Sequence, residues 1–196
     1  MKFFIASDIH GSSYHCKKLI EKYYESNADR LILLGDLLYH GPRNDLPLGY
    51  DPGKVIDMLN SIEPGILCVR GNCDSEVDQM VLNFPIMAEY ALISYKNRTI
   101  FITHGHKFNE DNMPPLRSGD VLLHGHTHIV ANEIIHNGVI YLNPGSVSIP
   151  KGGTSYGYMI FEDGKFTRYN LEGAIEFEFD LNAEDTAPEN TEIQDQ

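Results

Sequence analysis

Apolar runs alternate with helical patterns through the first third of the chain. Three runs end in polar clusters, which is typical of buried strands. These runs are residues 2–7, 30–34 and 66–69. Between them, residues 13–26 and 52–62 place apolar side chains at helical spacing; Ser12 or Ser13 can cap the first helix, and Asp51 followed by proline begins the second. This order predicts parallel strands with right-handed crossovers.

The second half of the chain consists of paired apolar runs joined by short polar turns, which predicts β-hairpins. The three pairs are 91–95 with 99–103, 129–135 with 139–142, and 156–161 with 166–171. Residues 121–123 predict a further short strand, and 174–181 an edge strand. We therefore predict one α/β domain over residues 1–181. It has two face-to-face mixed β-sheets flanked by helices, the first mostly parallel and the second mixed or antiparallel.

Negative charge is concentrated near the C-terminal end. The chain has a formal net charge of −13. Nine of its acidic residues lie between Glu172 and Asp195, a stretch without Lys or Arg. Residues 182–196 are therefore predicted to be an acidic, flexible tail. The acidity argues against extended nucleic-acid binding, and the lack of an apolar run of about 18 residues argues against a membrane span. Three cysteines without a Cys-x-x-Cys pair favour a reducing cytoplasm over a disulfide framework or a zinc ribbon.

Five polar clusters follow the apolar runs. They are Asp8-Ile9-His10, Gly35-Asp36, Gly71-Asn72-Cys73-Asp74, His104-Gly105-His106 and Gly125-His126-Thr127-His128. Sites in open α/β sheets collect beyond the carboxyl ends of strands, so we expect these clusters to meet in one crevice. They offer seven candidate metal ligands: Asp8, His10, Asp36, Asn72, His104, His126 and His128. Seven ligands suit two ions that share a bridging carboxylate and water, and this mixture accepts Mn, Fe, Zn, Ni or Co.

The motifs Asp-x-His, Gly-Asp, Gly-Asn-x-Asp, His-Gly-His and Gly-His-x-His, in this order, resemble those of the calcineurin-like metallophosphoesterase superfamily. A longer similarity, reaching to about Leu171, relates the chain to the YfcE-type subfamily of small bacterial phosphodiesterases. The resemblance implies two ligand groups with a carboxylate bridge: Asp8, His10 and His128; Asn72, His104 and His126; and Asp36 between them. It also implies that Asp74 orients the neighbouring groups.

The implied activity is hydrolysis of a small phosphodiester by a hydroxide that bridges two divalent ions, with Mn as the first choice. Asp36, Asn72 and Cys73 are the candidate catalytic residues, and Asn72 is expected to stabilise charge on the non-bridging oxygens. Cys73 stands where much of the superfamily has a histidine that protonates the leaving group. Either the thiol replaces that acid or it is simply a small buried group. The resemblance further implies a homodimer or homotetramer.

Alternatives remain for the substrate contacts and for the activity. His40 and Arg43 either contact the substrate or belong to an ordinary surface loop, and Arg43 and Arg70 are the cations expected near the crevice. The rival activities are those of a phosphomonoesterase, including a protein phosphatase, and of a non-catalytic binding scaffold like the retromer subunit of this fold. Loss of ligand residues would favour the scaffold, and this sequence retains all seven.

Overall fold

Eleven strands and three helices occupy residues 1–62, 65–135 and 137–183, the parts of the chain that the computed structural model describes. The helices are α1 (Ser13–Ser26), α2 (Pro52–Asn60) and α3 (Glu76–Val81). The strands are β1 (Lys2–Ala6), β2 (Arg30–Leu33), β3 (Ile66–Cys68), β4 (Tyr90–Tyr95), β5 (Arg98–Thr103), β6 (Val121–Leu123), β7 (Ala131–Ile134), β8 (Ile140–Asn143), β9 (Gly157–Glu162), β10 (Lys165–Asn170) and β11 (Ile175–Asp180).

The first sheet has six strands in the order β11-β10-β9-β1-β2-β3. β1 pairs with β2, and β2 with β3, in parallel. On its other side β1 pairs antiparallel with β9, Phe3 facing Phe161, and the strands beyond are antiparallel as well. The prediction that this sheet is mostly parallel is therefore wrong. The hairpin β9–β10 extends it because β9 has apolar side chains on both faces, including Tyr158 and Met159.

The second sheet has five strands in the order β4-β5-β6-β8-β7 and is mixed, as predicted. β5, β6 and β8 run parallel, and the hairpins add β4 and β7 antiparallel at the edges. β6 and β8 are buried in the middle, with Val121 opposite Ile140 and Leu123 opposite Leu142. The strands that precede the histidine clusters thus lie side by side.

The two sheets pack face to face around a continuous apolar layer. Ile5 and Ile32 of the first sheet belong to the same buried cluster as Ile102 and Leu123 of the second. Side chains along β1 alternate between the two faces of the sheet, so Phe4 lies on the opposite face. There it packs in the cluster that includes residues of α1 and α2. The prediction of two face-to-face mixed sheets flanked by helices is confirmed, and the helices α1 and α2 cover the outer face of the first sheet.

The outer face of the second sheet is covered differently. Phe101 and Leu122 form a small buried cluster there with Phe108, Met113 and Leu116, which lie in the irregular segment 105–120. No helix among the described residues contributes to that cluster. This segment therefore packs its partly buried apolar side chains against the outer face of the second sheet.

Local signals explain the helix ends. The side chain of Ser12 accepts a hydrogen bond from His15 N–H and caps α1, as Asp51 caps α2. α3 has a reciprocal capping box between Ser75 and Asp78. The sequence does not predict α3, because its apolar residues are too few to show a helical period. In the described ranges every helix is too short or too polar to cross a bilayer.

The predicted acidic tail lies largely outside the described residues, which end at Ala183. Its first residue, Asn182, is attached to the body of the protein. Lys96 Nζ and Tyr95 Oη donate to Asn182 Oδ1, and Asn182 Nδ2 donates to the Asp163 carbonyl. The described domain therefore ends at an ordered contact with the β4–β5 turn.

Candidate metal centre

The polar loops that follow β1 and β2 are joined through their backbones. Asp8 N–H donates to the Gly35 carbonyl at 3.1 Å, and His10 N–H donates to the Asp36 carbonyl at 2.9 Å. Five of the seven predicted ligands have positive φ, a conformation that costs energy for non-glycine residues and clusters at functional sites. They are Asp8 (60°), His10 (48°), Asp36 (56°), His126 (66°) and His128 (61°). These sharp turns bring side chains from separate strand ends together.

Asp8, His10 and His128 form one buried group. His10 Nε2 lies 3.1 Å from His128 Nε2. Asp8 Oδ1 lies 3.5 Å from His10 Nε2 and 3.2 Å from His128 Nε2. All three side chains are almost inaccessible to solvent. One carboxylate oxygen and two imidazole nitrogens at this spacing suit a divalent transition-metal ion.

Asp36 lies between this group and a second one. Its Oδ2 atom is 3.7 Å from His10 Nε2 and 3.4 Å from His104 Nε2. His104 Nε2 is in turn 3.1 Å from Asn72 Oδ1. The ring of His126 is further out, its centroid 5.1 Å from that of His104. A single carboxylate oxygen of Asp36 therefore faces ligand atoms on both sides.

Three of the histidines are held in the tautomer that metal binding requires. In each, Nδ1 contacts a backbone carbonyl, which can only accept, so Nδ1 carries the proton. The bonds are all 2.7 Å long and join His10 to Tyr39, His104 to Leu34 and His128 to Ile149. In each neutral ring Nε2 is then unprotonated, and its lone pair points into the cluster, where it can bind a metal ion. Metal-binding histidines in proteins are oriented in this way.

The Asp8 carboxylate is only half satisfied by the protein. Its Oδ2 atom accepts hydrogen bonds from Ser7 Oγ at 2.5 Å and from His126 N–H at 3.1 Å. Its Oδ1 atom is buried and has no hydrogen-bond partner among the described residues. Burying a carboxylate oxygen without a partner is costly unless a cation binds it. This unpaired oxygen faces His10 and His128, so the residues present fit a bound cation.

The electrostatics of the cluster also favour a cation. Burial opposes ionisation of Asp8, but the adjacent rings of His10 and His128, which pair with its carboxylate when they are protonated, hold the pKa of its carboxyl well below the usual range. Burial likewise opposes protonation of His104, yet the carboxylates of Asp36 and Asp8 raise its pKa to about 9. Two buried carboxylates thus create a negative potential strong enough to hold a proton on a buried ring. The same potential attracts a metal ion.

Asp74 joins the loops after β2 and β3. Its carboxylate accepts backbone hydrogen bonds from Asp36 at 2.9 Å, Leu37 at 2.9 Å and Gly71 at 2.7 Å. Burial raises the pKa of Asp74, and these N–H donors oppose that rise. A side chain at Gly71 would overlap the Asp36 carboxylate, so glycine is required at this close approach. Asp74 thereby fixes the position of Asp36.

Cys73 lies half-buried next to Asp36. Its backbone N–H donates to Asp36 Oδ1 at 2.8 Å, and its Sγ accepts from Asn72 Nδ2 at 3.2 Å. Burial and the negative charge of Asp36 raise the pKa of the Cys73 thiol to about 12. The thiol therefore stays protonated at neutral pH. Its sulfur also lies within 4.8 Å of ligand atoms of His10 and Asp36, a proximity that the sequence analysis did not anticipate.

An open cleft of about 450 Å³ leads to these residues. Asp36, Asn72 and His126 line it, together with Arg43 and Lys151. The sequence analysis did not single out Lys151, which lies in the Gly/Pro-rich stretch after β8. No local motif marks this lysine; only the return of the chain after β8 brings it to the cleft.

Two other residues expected near the substrate lie elsewhere. His40 is absent from the cleft wall, and its ring packs edge-on against Tyr39 and Tyr50 with centroid distances of 4.7 and 5.2 Å. Arg70 is also absent from it: its Nε donates to the Asp74 carbonyl at 3.2 Å and its guanidinium lies 3.6 Å from Glu76. Among the described residues, Arg43 and Lys151 line the cleft, whereas Arg70 does not.

Comparison with known proteins agrees with this geometry. The chain is 49% identical to phosphodiesterase YfcE of Escherichia coli over 161 residues, which cover 81% of this chain and 87% of that protein. The structure of E. coli YfcE, a phosphoesterase, superposes with a TM-score of 0.89 and 44% identity over 93% of this chain and 100% of that one. Vps29 of Entamoeba histolytica, in complex with zinc, shares only the fold, with a TM-score of 0.61 and 18% identity over 93% of this chain and 100% of that chain.

The family follows from the extent of the sequence match. The profile of the calcineurin-like phosphoesterase superfamily domain matches residues 1–164, which include all five polar clusters. The chain therefore belongs to the calcineurin-like phosphoesterase superfamily.

Proposed function

We propose that the protein is a metal-dependent phosphodiesterase that hydrolyses a small phosphodiester in the cleft beside Asp36. One observation carries the proposal: a buried oxygen of Asp36 faces metal-binding atoms on both sides, His10 Nε2 at 3.7 Å and His104 Nε2 at 3.4 Å. The similarity to E. coli YfcE, which is named a phosphodiesterase, supports the same activity.

In this proposal Asp36 would be shared by two divalent ions. The residues that would hold them are Asp8, His10 and His128 for one ion and Asn72, His104 and His126 for the other. Bound there, the two ions supply Lewis acidity that activates water and the phosphoryl group. We propose Mn²⁺ first, because carboxylate and amide oxygens suit it, while the imidazoles also accept Zn, Fe, Ni or Co.

The protein's own side chains bind and orient the substrate. Arg43 and Lys151 line the cleft and attract the negatively charged phosphate. Asn72 Nδ2, which lies 3.2 Å from Cys73 Sγ, is an amide donor beside the same cleft. It stabilises charge that develops on a non-bridging oxygen. His40 does not line the cleft, so we propose Arg43 alone of the two predicted contacts as a phosphate-binding residue.

A diester suits this cleft better than a monoester. A diester carries one negative charge and a monoester up to two, so a diester depends less on cationic side chains such as Arg43 and Lys151. The neutral Cys73 thiol is a poor acid for a leaving group, because burial and Asp36 raise its pKa to about 12. The site therefore favours substrates whose leaving groups depart with little protonation.

The test compares kcat/KM for an aryl diester and the matching aryl monoester with Mn-loaded protein. We expect a clear preference for the diester and a large loss of turnover in Asp36→Asn. Asp57→Asn, an exposed carboxylate change on α2, is the matched control and should turn over like the parent protein. A preference for the monoester would indicate a phosphomonoesterase. Failure to turn over either substrate with metal bound would indicate a binding scaffold.

Two further proposals concern the protein's cellular compartment and its oligomeric state. All three cysteines are free, which supports a reducing compartment such as the cytoplasm. The homodimer or homotetramer implied by the family resemblance is checked by sedimentation velocity of the full chain.

A further inference from the structure

A second cavity, of about 490 Å³, lies near the proposed catalytic cleft. None of the seven predicted metal ligands lines it, and neither does Arg43. It has aromatic side chains on one side, from Tyr14, His15 and Tyr156, and aliphatic ones from Leu46 and Leu48. Its volume is large enough for a ring system of one or two fused rings.

The two cavities share the same loops. Asn44 lines the cleft and the next residue, Asp45, lines the second cavity. Likewise Lys151 lines the cleft and Pro150 lines the second cavity. Consecutive Cα atoms are about 3.8 Å apart, so the two cavities adjoin at these two loops.

The metal cluster is in direct contact with the same loop. Ile149 lines the second cavity, and its carbonyl accepts the hydrogen bond from His128 Nδ1 at 2.7 Å. Ser148 also lines it, and its Oγ donates to the Asp8 carbonyl at 3.1 Å. The loop that orients the metal ligands therefore also forms part of the wall of the second cavity.

The walls of this cavity suit a planar ring. His15 and Tyr156 stack on each other with centroids 4.6 Å apart and planes 14° apart. Leu46 and Leu48 are unusually open for leucines, at 63% and 62% exposure. An aromatic ring between these surfaces would cover the leucines and contact the tyrosine rings.

A hydrogen-bond chain fixes the polar character of His15. Ser12 Oγ donates to the Leu48 carbonyl at 2.6 Å and therefore accepts from His15 Nδ1–H at 2.8 Å. His15 Nε2 is then an acceptor, and it has no hydrogen-bond partner among the described residues. Burial lowers the pKa of His15, which favours this neutral form. The cavity thus combines apolar side chains with the acceptor His15 Nε2, and the charged side chains of Lys18, Asp45 and Glu172 also line it.

We propose that this cavity binds one organic group of the diester and selects planar aromatic or heteroaromatic groups that carry an N–H or O–H donor for His15 Nε2. This substrate class rests on the proposed phosphodiesterase function. An aromatic heterocycle with a ring N–H fits it better than an alkyl group or an unsubstituted hydrocarbon ring.

Three slowly reacting methylphosphonate monoesters test this selectivity as competitive inhibitors of nitrophenyl diester turnover: the cyclohexyl, naphthyl and indolyl esters. We expect Ki to fall in that order, with the indolyl ester about tenfold tighter than the cyclohexyl ester, since ring stacking and one hydrogen bond both contribute. The ratio of the cyclohexyl Ki to the indolyl Ki should shrink in Leu48→Ser and in His15→Phe. In His15→Phe the naphthyl and indolyl esters should have equal Ki values. Leu92→Ser, an equally exposed leucine on β4, is the matched control.

Amide NMR shifts on metal-free protein separate this proposal from the proposed function, because they need no turnover. The indolyl ester should shift Lys18, Ile149 and Tyr156, which line the second cavity. Shifts confined to Asn44 and Lys151 would overturn the proposal. Equal Ki values for the cyclohexyl and indolyl esters, or a ratio unchanged in Leu48→Ser, would overturn it as well. Absence of diester turnover with those NMR shifts intact would refute only the phosphodiesterase activity.

Discussion

The Nε2 atoms of His10 and His128 lie 3.1 Å apart in the interior of the protein. Because Nδ1 of each ring donates to a backbone carbonyl, both Nε2 atoms are acceptors when the rings are neutral. Two acceptors at this distance repel each other unless a proton or a metal ion lies between them.

Divalent metal should therefore stabilise the fold. We expect Mn²⁺ at about 100 times its dissociation constant to add about 2.7 kcal/mol to the free energy of unfolding. Thermal unfolding with and without chelator measures the effect as a shift in Tm. His128→Ala should lose most of this shift, whereas Ile129→Ala, the exposed neighbour, should keep it. A Tm that does not respond to metal in the parent protein would contradict the prediction.

Each chain should bind two ions, both dependent on Asp36. Asp36→Asn should weaken both sites, because a neutral amide bridges poorly between two cations. Elemental analysis of Mn-reconstituted protein gives the stoichiometry, and calorimetric titration gives the affinities. One ion or none in the parent protein would refute the dinuclear arrangement, and Asp57→Asn controls for the loss of a carboxylate.

Arg43→Met and Lys151→Met should each raise KM for a diester several-fold while changing kcat less, because both side chains line the cleft. Lys17→Met, an exposed lysine on α1 outside the cleft, is the matched control. Steady-state kinetics at two salt concentrations checks the assignment. A KM effect that persists unchanged at high salt would argue against a charge interaction.

Asn72→Ala should lower diester turnover far more than Cys73→Ala, because we propose that the amide stabilises charge on the substrate, whereas the thiol is a weak acid with a pKa of about 12. Cys73→His should raise turnover of substrates with poor alkoxide leaving groups more than that of nitrophenyl esters. General acid catalysis contributes about 10²–10⁴-fold in favourable cases, and an unoptimised histidine should give less. Severe loss in Cys73→Ala with metal content intact would show that the thiol itself is essential.

Arg168 should prove structurally important for the loop that carries Ile149 and Lys151. Its fully buried guanidinium donates to the carbonyls of Pro144 and Ser155 at the two ends of this loop and pairs with Glu176. Arg168→Met should lower the free energy of unfolding by about 1–3 kcal/mol, because it leaves the carbonyls of Pro144 and Ser155 without their hydrogen-bond donor. Denaturant titration measures this, with Lys165→Met, an exposed lysine of the same strand, as the control. A change in the free energy of unfolding near zero would mean that the loop keeps its position without Arg168.

Sequence patterns determined the secondary structure and the residues that meet at the candidate site. The strand runs, two of the helices and the order of the polar clusters follow from short-range periodicity, caps and turn residues. The family prediction is confirmed by the match over residues 1–164. The roles of the seven candidate ligands stay predictions, although the structure brings their side chains together. Asp8, Asp36 and His104, for example, offer ligand atoms that all lie within 4.8 Å of one another.

Tertiary structure alone decided the rest, because these features depend on chain segments far apart in sequence. β9 pairs with β1 across more than half the chain, and this pairing makes the first sheet mixed. The backbone carbonyls of Leu34 and Ile149 fix the tautomers of His104 and His128. Every residue has a backbone carbonyl, so the sequence does not show which one accepts a given hydrogen bond. Lys151 reaches the cleft only because its loop folds back over the strand ends. Local patterns record what each segment prefers, while long-range packing decides which segments meet.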